Sequence, residues 1–419
     1  MTVATTGDRG IDREAPDRGL MERLAGEWSA LGARRPALVR RVLWLRDHPA
    51  AVLLPWAGLM AGLLGADNPG GDAQWFRDAG LSMFGPDVFD VFSTPGLQMG
   101  PLYLLFVGML AAAVRVVGLP VLFTVAAVQS MGIAWFALFT ARRWAAQLDA
   151  SPRRAQWGVV APMVFGGLLA ESIGNGHPEE VFLGLLFANA ALWAQQGRLA
   201  RPGVLIGLAA GIKLWGLLGA PILLIGRRPR VVVVGALSIV AIAVACYAPF
   251  FLLGDVNTFD FAWGTTRTPV SFVTTAWGWS DWALRLVQGA AVALAGCLVA
   301  WRRSGTALVV VLAIIAARLV LDPLFLTYYP GPFIVVALLW VWTSPVSMRM
   351  PWPVVASAAV PLTVVLPYVL PMMATTIASH AAFIAVTVAV LARERVSAHM
   401  SEAVEGPPGR DPDELSRTR

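Results

Sequence analysis

Lys213 is the single lysine of the chain; the other 31 basic residues are arginine. It stands in Gly207-Leu-Ala-Ala-Gly211-Ile-Lys213-Leu-Trp215, halfway along an apolar run. An ammonium at membrane depth is costly unless it meets an anion or a wet cavity. Two readings stay open for it, a pair with a structural carboxylate or a contact with a bound phosphate. A second group is Glu171-Ser-Ile-Gly-Asn175-Gly-His177-Pro-Glu179-Glu180, between two apolar runs. One imidazole with three carboxylates could suggest a metal, but the spacing matches no zinc signature. Polar contacts to a sugar or a phosphate suit Asn175, His177 and Glu179 better, and Glu180 reads as a solvated or capping charge.

A third group is Asp67-Asn-Pro-Gly-Gly-Asp72-Ala-Gln-Trp75-Phe76-Arg77-Asp78-Ala79-Gly. Trp75, Phe76 and Ala79 fall at helical spacing, which predicts a short helix lying in the interface with its aromatic face down. Asp72 begins it, either as a helix cap or as a general base that takes a proton from a bound hydroxyl. The fourth group combines Arg318, Asp322, Tyr328 and Tyr329 with Thr265-Thr-Arg267-Thr and Ala276-Trp277-Gly-Trp279-Ser-Asp281-Trp282. Arg318 and Asp322 are four apart and can pair with each other. The tryptophans suit either an interfacial belt or the flat face of a sugar ring.

The elements that must position these groups are membrane helices. Of 419 residues, 57% are hydrophobic and only 14% charged, against about 25% charged in soluble domains. Apolar runs alternate with short Arg-bearing links, as a hydrocarbon layer about 30 Å thick demands of helices that satisfy their own backbone groups. The net charge of +6 does not point to nucleic acid, because the basic residues sit at span ends and in short links. Residues 1–49 carry nine Arg and no early apolar stretch, so no cleavable leader is visible. They read as a cytoplasmic tail with a short interfacial helix near Leu38–Arg46. The loop 67–99 holds five Asp against one Arg and is expected outside.

From there the chain is expected to make roughly 10 to 13 membrane segments over residues 50–395. Gly100–Thr140 must cross an odd number of times, with breaks at Arg115 and Gly118-Leu119-Pro120. Val204–Ile225, with Arg at both ends, reads as two half-length helices meeting near Lys213. A second external loop spans 254–281, and a disordered cytoplasmic tail spans 396–419. Cys246 and Cys297 lie in apolar runs and read as buried thiols.

Taken in order, the pieces resemble the GT-C class of membrane glycosyltransferases. The closer likeness is to family 87, the actinobacterial polyprenol-phosphate-mannose-dependent α-mannosyltransferases of phosphatidylinositol mannosides. The likeness rests on Asp72-Ala-Gln-Trp-Phe-Arg-Asp-Ala-Gly after the first span and on Pro202 to Lys213, the small-residue stretch ending in Lys. Looser matches are Met99-Gly-Pro101-Leu-Tyr103, Gly174-Asn-Gly-His177-Pro-Glu, Thr274-Thr-Ala-Trp277-Gly-Trp279-Ser, and Tyr328-Tyr329 where the family has His-His. The Gly-Gln-Asn and His-His patterns themselves are absent.

The resemblance implies an all-α, GT-C-like helical bundle in the plasma membrane, with its active site on the extracytoplasmic face. It implies a polyprenyl-phosphate sugar donor, with mannose expected, a glycolipid or glycan acceptor, and an inverting reaction with Asp72 as base. Lys213, Arg318 or His177 would hold the donor phosphate, and Asn175, Glu179, Tyr328, Tyr329 and Trp277 would line the substrate site. Neither a metal nor another cofactor is expected, since protein cations can stabilise a lipid monophosphate leaving group. The alternatives are a transporter or lipid flippase, whose substrate path Lys213 and the broken helices would line, and a non-catalytic assembly subunit.

Overall fold

The computed structural model describes residues 17–67, 71–260, 268, 270–271, 276–302 and 306–405, and all regular elements among them are helical. The chain divides into two units, Met1–Val52 and Leu53–Arg419. The first contains α1 (Asp17–Arg34) and α2 (Pro36–Asp47). Pro36 opens α2, where its missing N–H costs nothing, and α2 takes the place of the short helix expected near Leu38–Arg46. The helix α1 was not expected. Leu24, Trp28 and Leu31 recur at spacings of four and three, the signature of one apolar face, although Leu24 is 50% exposed.

Helix α3 (Pro49–Asp67) leads into the polar loop, where α4 (Gly71–Ser82) and a 3-10 helix (Val88–Ser93) form. The second unit continues with α5 (Pro101–Val116), α6 (Val121–Gln147), α7 (Pro152–Phe165), α8 (Leu168–Gly174), α9 (Pro178–Gln195) and α10 (Arg201–Ile212). After a 3-10 helix at Leu214–Leu224 come α11 (Pro229–Leu253), α12 (Asp281–Arg302), α13 (Leu308–Val320), α14 (Gly331–Thr343), α15 (Trp352–Val369) and α16 (Met372–Glu405). Helix α16 runs past the boundary expected at residue 396; residues 406–419 lie outside the described residues.

Six helices, α3, α6, α11, α12, α15 and α16, are long and apolar enough to cross a membrane. The pair α7 and α8, bent by 46°, makes a seventh if it is one span, and five shorter apolar helices accompany them. This is a multi-span helical membrane protein. Between Gly100 and Thr140 the chain breaks at Gly118, in the left-handed region, and of its two helices only α6 reaches spanning length.

The centre of the bundle is α9, buried over most of its length. It packs on α6, α10, α13 and α14, with alanines 188, 190, 191 and 194 fully buried at these contacts. Small residues let helix backbones approach, which is how helices associate without a hydrophobic drive between them. Two polar links fix α9 to α6: Asn189 Nδ2 donates to Thr140 Oγ1 at 2.7 Å, and Trp144 Nε1 donates to the Ala188 carbonyl at 3.2 Å.

The two polar loops are tied together. The Asp255 N–H donates to Asp90 Oδ1 at 2.9 Å, and the Asn257 N–H donates to the Phe92 carbonyl at 3.0 Å. Phe92 meets Phe250 edge-on at 5.0 Å.

Candidate active site

Three short elements bring the ionisable residues together. The first is the N-terminal turn of α4, which carries Asp72. The second is the turn Asn175–His177 leading into α9, where Pro178 starts the helix and Glu179 and Glu180 fall in its first turn. Gly176 makes this possible. Its φ of +79° lies in the left-handed region, and a Cβ there would stand 2.4 Å from the Ala73 nitrogen. Only glycine lets the turn close against α4.

The third element is the break between α10 and the 3-10 helix. Lys213 itself is extended, with φ −156° and ψ 130°, between two half-length helices. The expected pair meeting near Lys213 is therefore present. Gly100, just before α5, donates its N–H to the Ile212 carbonyl at 2.8 Å, and a Cβ there would meet the Gly211 carbonyl at 2.2 Å.

From these elements runs one line of alternating charges. Asp72 Oδ2 lies 2.8 Å from His177 Nε2, and His177 Nδ1 lies 2.8 Å from Glu179 Oε1. Lys213 Nζ donates to that same Glu179 oxygen at 2.8 Å and to Glu180 Oε1 at 2.7 Å. Arg318 approaches Glu180 Oε2 at 3.4 Å and Asp322 Oδ2 at 3.9 Å, and Arg285 donates to Asp322 Oδ1 at 2.8 Å. Both nitrogens of His177 face carboxylate oxygens, an arrangement that favours the imidazolium, which donates from both. In that form the line holds four acids and four cations and is neutral.

Aromatic rings enclose the line. Tyr328 stacks on His177 at 4.0 Å and 13°, and Phe76 meets the imidazole edge-on at 5.3 Å. Arg318 lies 4.4 Å over Trp215 and 4.7 Å over Tyr329, contacts that attract a cation to the ring face. The Trp215 indole N–H also donates to Glu180 Oε1 at 3.2 Å. Burial works against the His177 charge, but Glu179 and the hydrogen bonds to Asp72 and Glu179 outweigh it and hold its pKa above the ordinary value. The hydrogen bond from His177 holds the Asp72 carboxyl below its usual range.

Asp72 is the accessible end, with its side chain 48% exposed, whereas Glu179 and Glu180 are fully buried. An ionised carboxylate on an open rim, steadied from behind by an imidazolium, can accept a proton from a bound hydroxyl. The Asp72 carboxylate is thus turned to His177. The aromatic face of α4 is split rather than laid down as one surface: Phe76 is buried toward His177, while Trp75 is 36% exposed.

Asp72, His177, Glu179, Lys213, Arg318, Tyr328 and Tyr329 therefore converge. Asn175 stands beside them and donates to Glu171 Oε1 at 2.9 Å, which also accepts from the Tyr368 hydroxyl at 2.8 Å. Trp277 is not part of the cluster; it is 67% exposed and packs on Trp279. Thr265–Arg267 and Thr274–Thr275 lie outside the described residues. Glu180 corrects the sequence reading: it is no solvated charge but the buried junction between Lys213, Arg318 and Trp215. Arg285 was overlooked, although a lone arginine in the apolar run of α12 carries the same signal that singled out Lys213. Among the described residues no three His, Cys, Asp or Glu side chains converge to hold a metal ion.

The model of glycosyltransferase family 87 matches residues 98–345, more than half of the chain. Among curated proteins none matches.

Proposed function

The chain belongs to glycosyltransferase family 87 and is a membrane glycosyltransferase; from this premise we propose that it moves a mannosyl group from a polyprenyl-phosphate donor to a glycolipid or glycan on the extracytoplasmic face of the plasma membrane. The observation that carries the reading is the unbroken line Asp72–His177–Glu179–Lys213, which joins an accessible carboxylate to the single lysine in three contacts of 2.8 Å.

In this reading Asp72 takes the proton of the acceptor hydroxyl as its oxygen bonds to the anomeric carbon. The bond from that carbon to the phosphate oxygen breaks on the opposite face, its electron pair stays with the phosphate, and configuration inverts. The leaving polyprenyl phosphate gathers negative charge, which a fixed cation stabilises by about 2.7–4 kcal/mol. Lys213 and Arg318 are the cations offered. Two of the three Lys213 N–H groups go to carboxylates, which leaves a third. Arg318 holds its carboxylates only at 3.4–3.9 Å, longer than the 2.7–2.9 Å of a tight charged pair, so it loses least on turning to a phosphate. In this reading His177 positions Asp72 through their 2.8 Å contact. Membership of a transferase family weighs against the transporter reading.

The test uses membranes carrying the full chain and labelled polyprenyl-phosphate mannose. Asp72→Asn should insert at parental levels and lose transfer by at least about 10²-fold. Transfer at the parental rate in that variant would remove Asp72 as the base. No transfer by the parental chain from the mannosyl donor, with transfer from another polyprenyl-phosphate sugar, would correct the donor and keep the mechanism.

A further inference from the structure

The last turns of α6 and the link from α9 to α10 gather arginines around Trp193, about 21 Å along α9 from Glu179. Gln196 Nε2 donates to Gln147 Oε1 at 3.0 Å and joins the two segments. Arg143 lies 4.9 Å over the Trp193 ring and 5.3 Å over Phe139, and Arg201 lies 5.6 Å over the same indole. Arg198 and Arg201 both stand within repelling range of Arg143, and the Arg228 guanidinium packs against Gly197. Among the described residues, no carboxylate or carbonyl takes a guanidinium hydrogen of Arg143, Arg198 or Arg201. The links 141–156, 196–203 and 226–231, which meet here, hold nine arginines and one acid, Asp149.

Like charges this close repel one another, and the aromatic faces offset only part of that cost. Membrane orientation asks for positive charge in such links, but it does not ask for two guanidiniums on one indole. An anion among them supplies the missing charge. Beside the cluster runs an apolar stripe. Trp135 and Phe139 precede Arg143 at intervals of four, which puts all three on one face of α6. Trp135 stacks on Phe139 at 6.1 Å and 15°, and the two are 59% and 41% exposed. A soluble anion leaves that stripe uncovered, whereas an acyl chain lies along it. We propose that this cluster binds an anionic phospholipid of the membrane, its phosphate among Arg143, Arg198 and Arg201 and an acyl chain along Phe139 and Trp135. Guanidinium forks match phosphate oxygens in pairs, and basic pockets between membrane helices hold such headgroups.

Occupancy of this cluster needs no turnover, so its test is separate from that of the transferase reading. The purified full chain in detergent is titrated with phosphatidylglycerol or with phosphatidylcholine of the same acyl chains, and bound lipid is counted by native mass spectrometry. Phosphatidylglycerol should bind at least about tenfold more tightly, as one hydrogen bond between charged groups implies. Arg143→Gln with Arg201→Gln should remove that preference. Arg40→Gln with Arg41→Gln takes the same charge from exposed positions of α2 and should leave the preference unchanged.

Arg201 is exposed, so Arg201→Gln alone keeps the fold and decides the matter where the double variant does not insert. It should weaken phosphatidylglycerol binding about fivefold, the worth of one arginine at an anionic membrane surface. Equal affinity for the two lipids, unchanged binding in Arg201→Gln, or an equal loss in the α2 variant would each overturn the proposal. Displacement of the lipid by equimolar inorganic phosphate would overturn it too, and would make the cluster a site for a soluble anion.

Discussion

At the scale of single residues, the site is held by charge balance rather than by any one strong pair. Lys213 serves two fully buried carboxylates, Glu179 and Glu180. Breaking a buried pair by removing one partner costs about 3–5 kcal/mol, because the remaining charge is left without compensation. Lys213→Met should therefore destabilise the protein by about that amount, read as a drop in the detergent-solubilised melting temperature. Lys213→Met combined with Glu180→Gln restores neutrality and should recover most of the stability, while transfer stays low because the cation for the leaving phosphate is still missing. A single variant as stable as the parent, altered only in its KM for donor, would show that the ammonium is no part of the structural network.

At the scale of elements, the decisive feature is how closely the turn before α9 approaches the start of α4. Gly176 permits that contact through its left-handed φ and its lack of a Cβ. Gly176→Ala should cost about 1–3 kcal/mol from backbone strain and push the turn from Ala73, lengthening the 2.8 Å bond between His177 and Asp72. A misplacement near 1 Å can cost about 10²-fold in rate. The expected result is a fall in kcat of that order with the donor KM little changed. Parental kcat in Gly176→Ala would mean that the contact with α4 does not position the base.

At the scale of the whole molecule, the reading requires Asp72 and its loop to face away from the cytoplasm. The Arg-bearing links lead us to propose that orientation, and an impermeant thiol reagent on intact cells tests it. With Cys246 and Cys297 replaced by Ala, a cysteine at Asp78, which is exposed, should label in intact cells. A cysteine at Arg142, in the link expected inside, should label only after permeabilisation. The reverse pattern would put the site on the cytoplasmic face and exclude a donor presented outside.

The helical membrane class, the break at Lys213 and the candidacy of Asp72 could all be read from the sequence. Each rests on a local property: an apolar run of a given length, a charge inside it, or a carboxylate after two glycines. What Lys213 touches was not legible there. Glu179 and Glu180 are 34 and 33 residues away, and no spacing rule joins a helix N-terminus to a break in another helix. The same limit disguised Glu180, whose place at the head of a helix suits a cap as well as a buried hub. Arg285 lay within reach of local reasoning, but its carboxylate, Asp322, is 37 residues on. Composition and periodicity determined where the helices run and which charges they carry, because those follow from near neighbours and the solvent. Only the packed bundle decided which charges meet, because pairing depends on how helices far apart in sequence come to share one buried space.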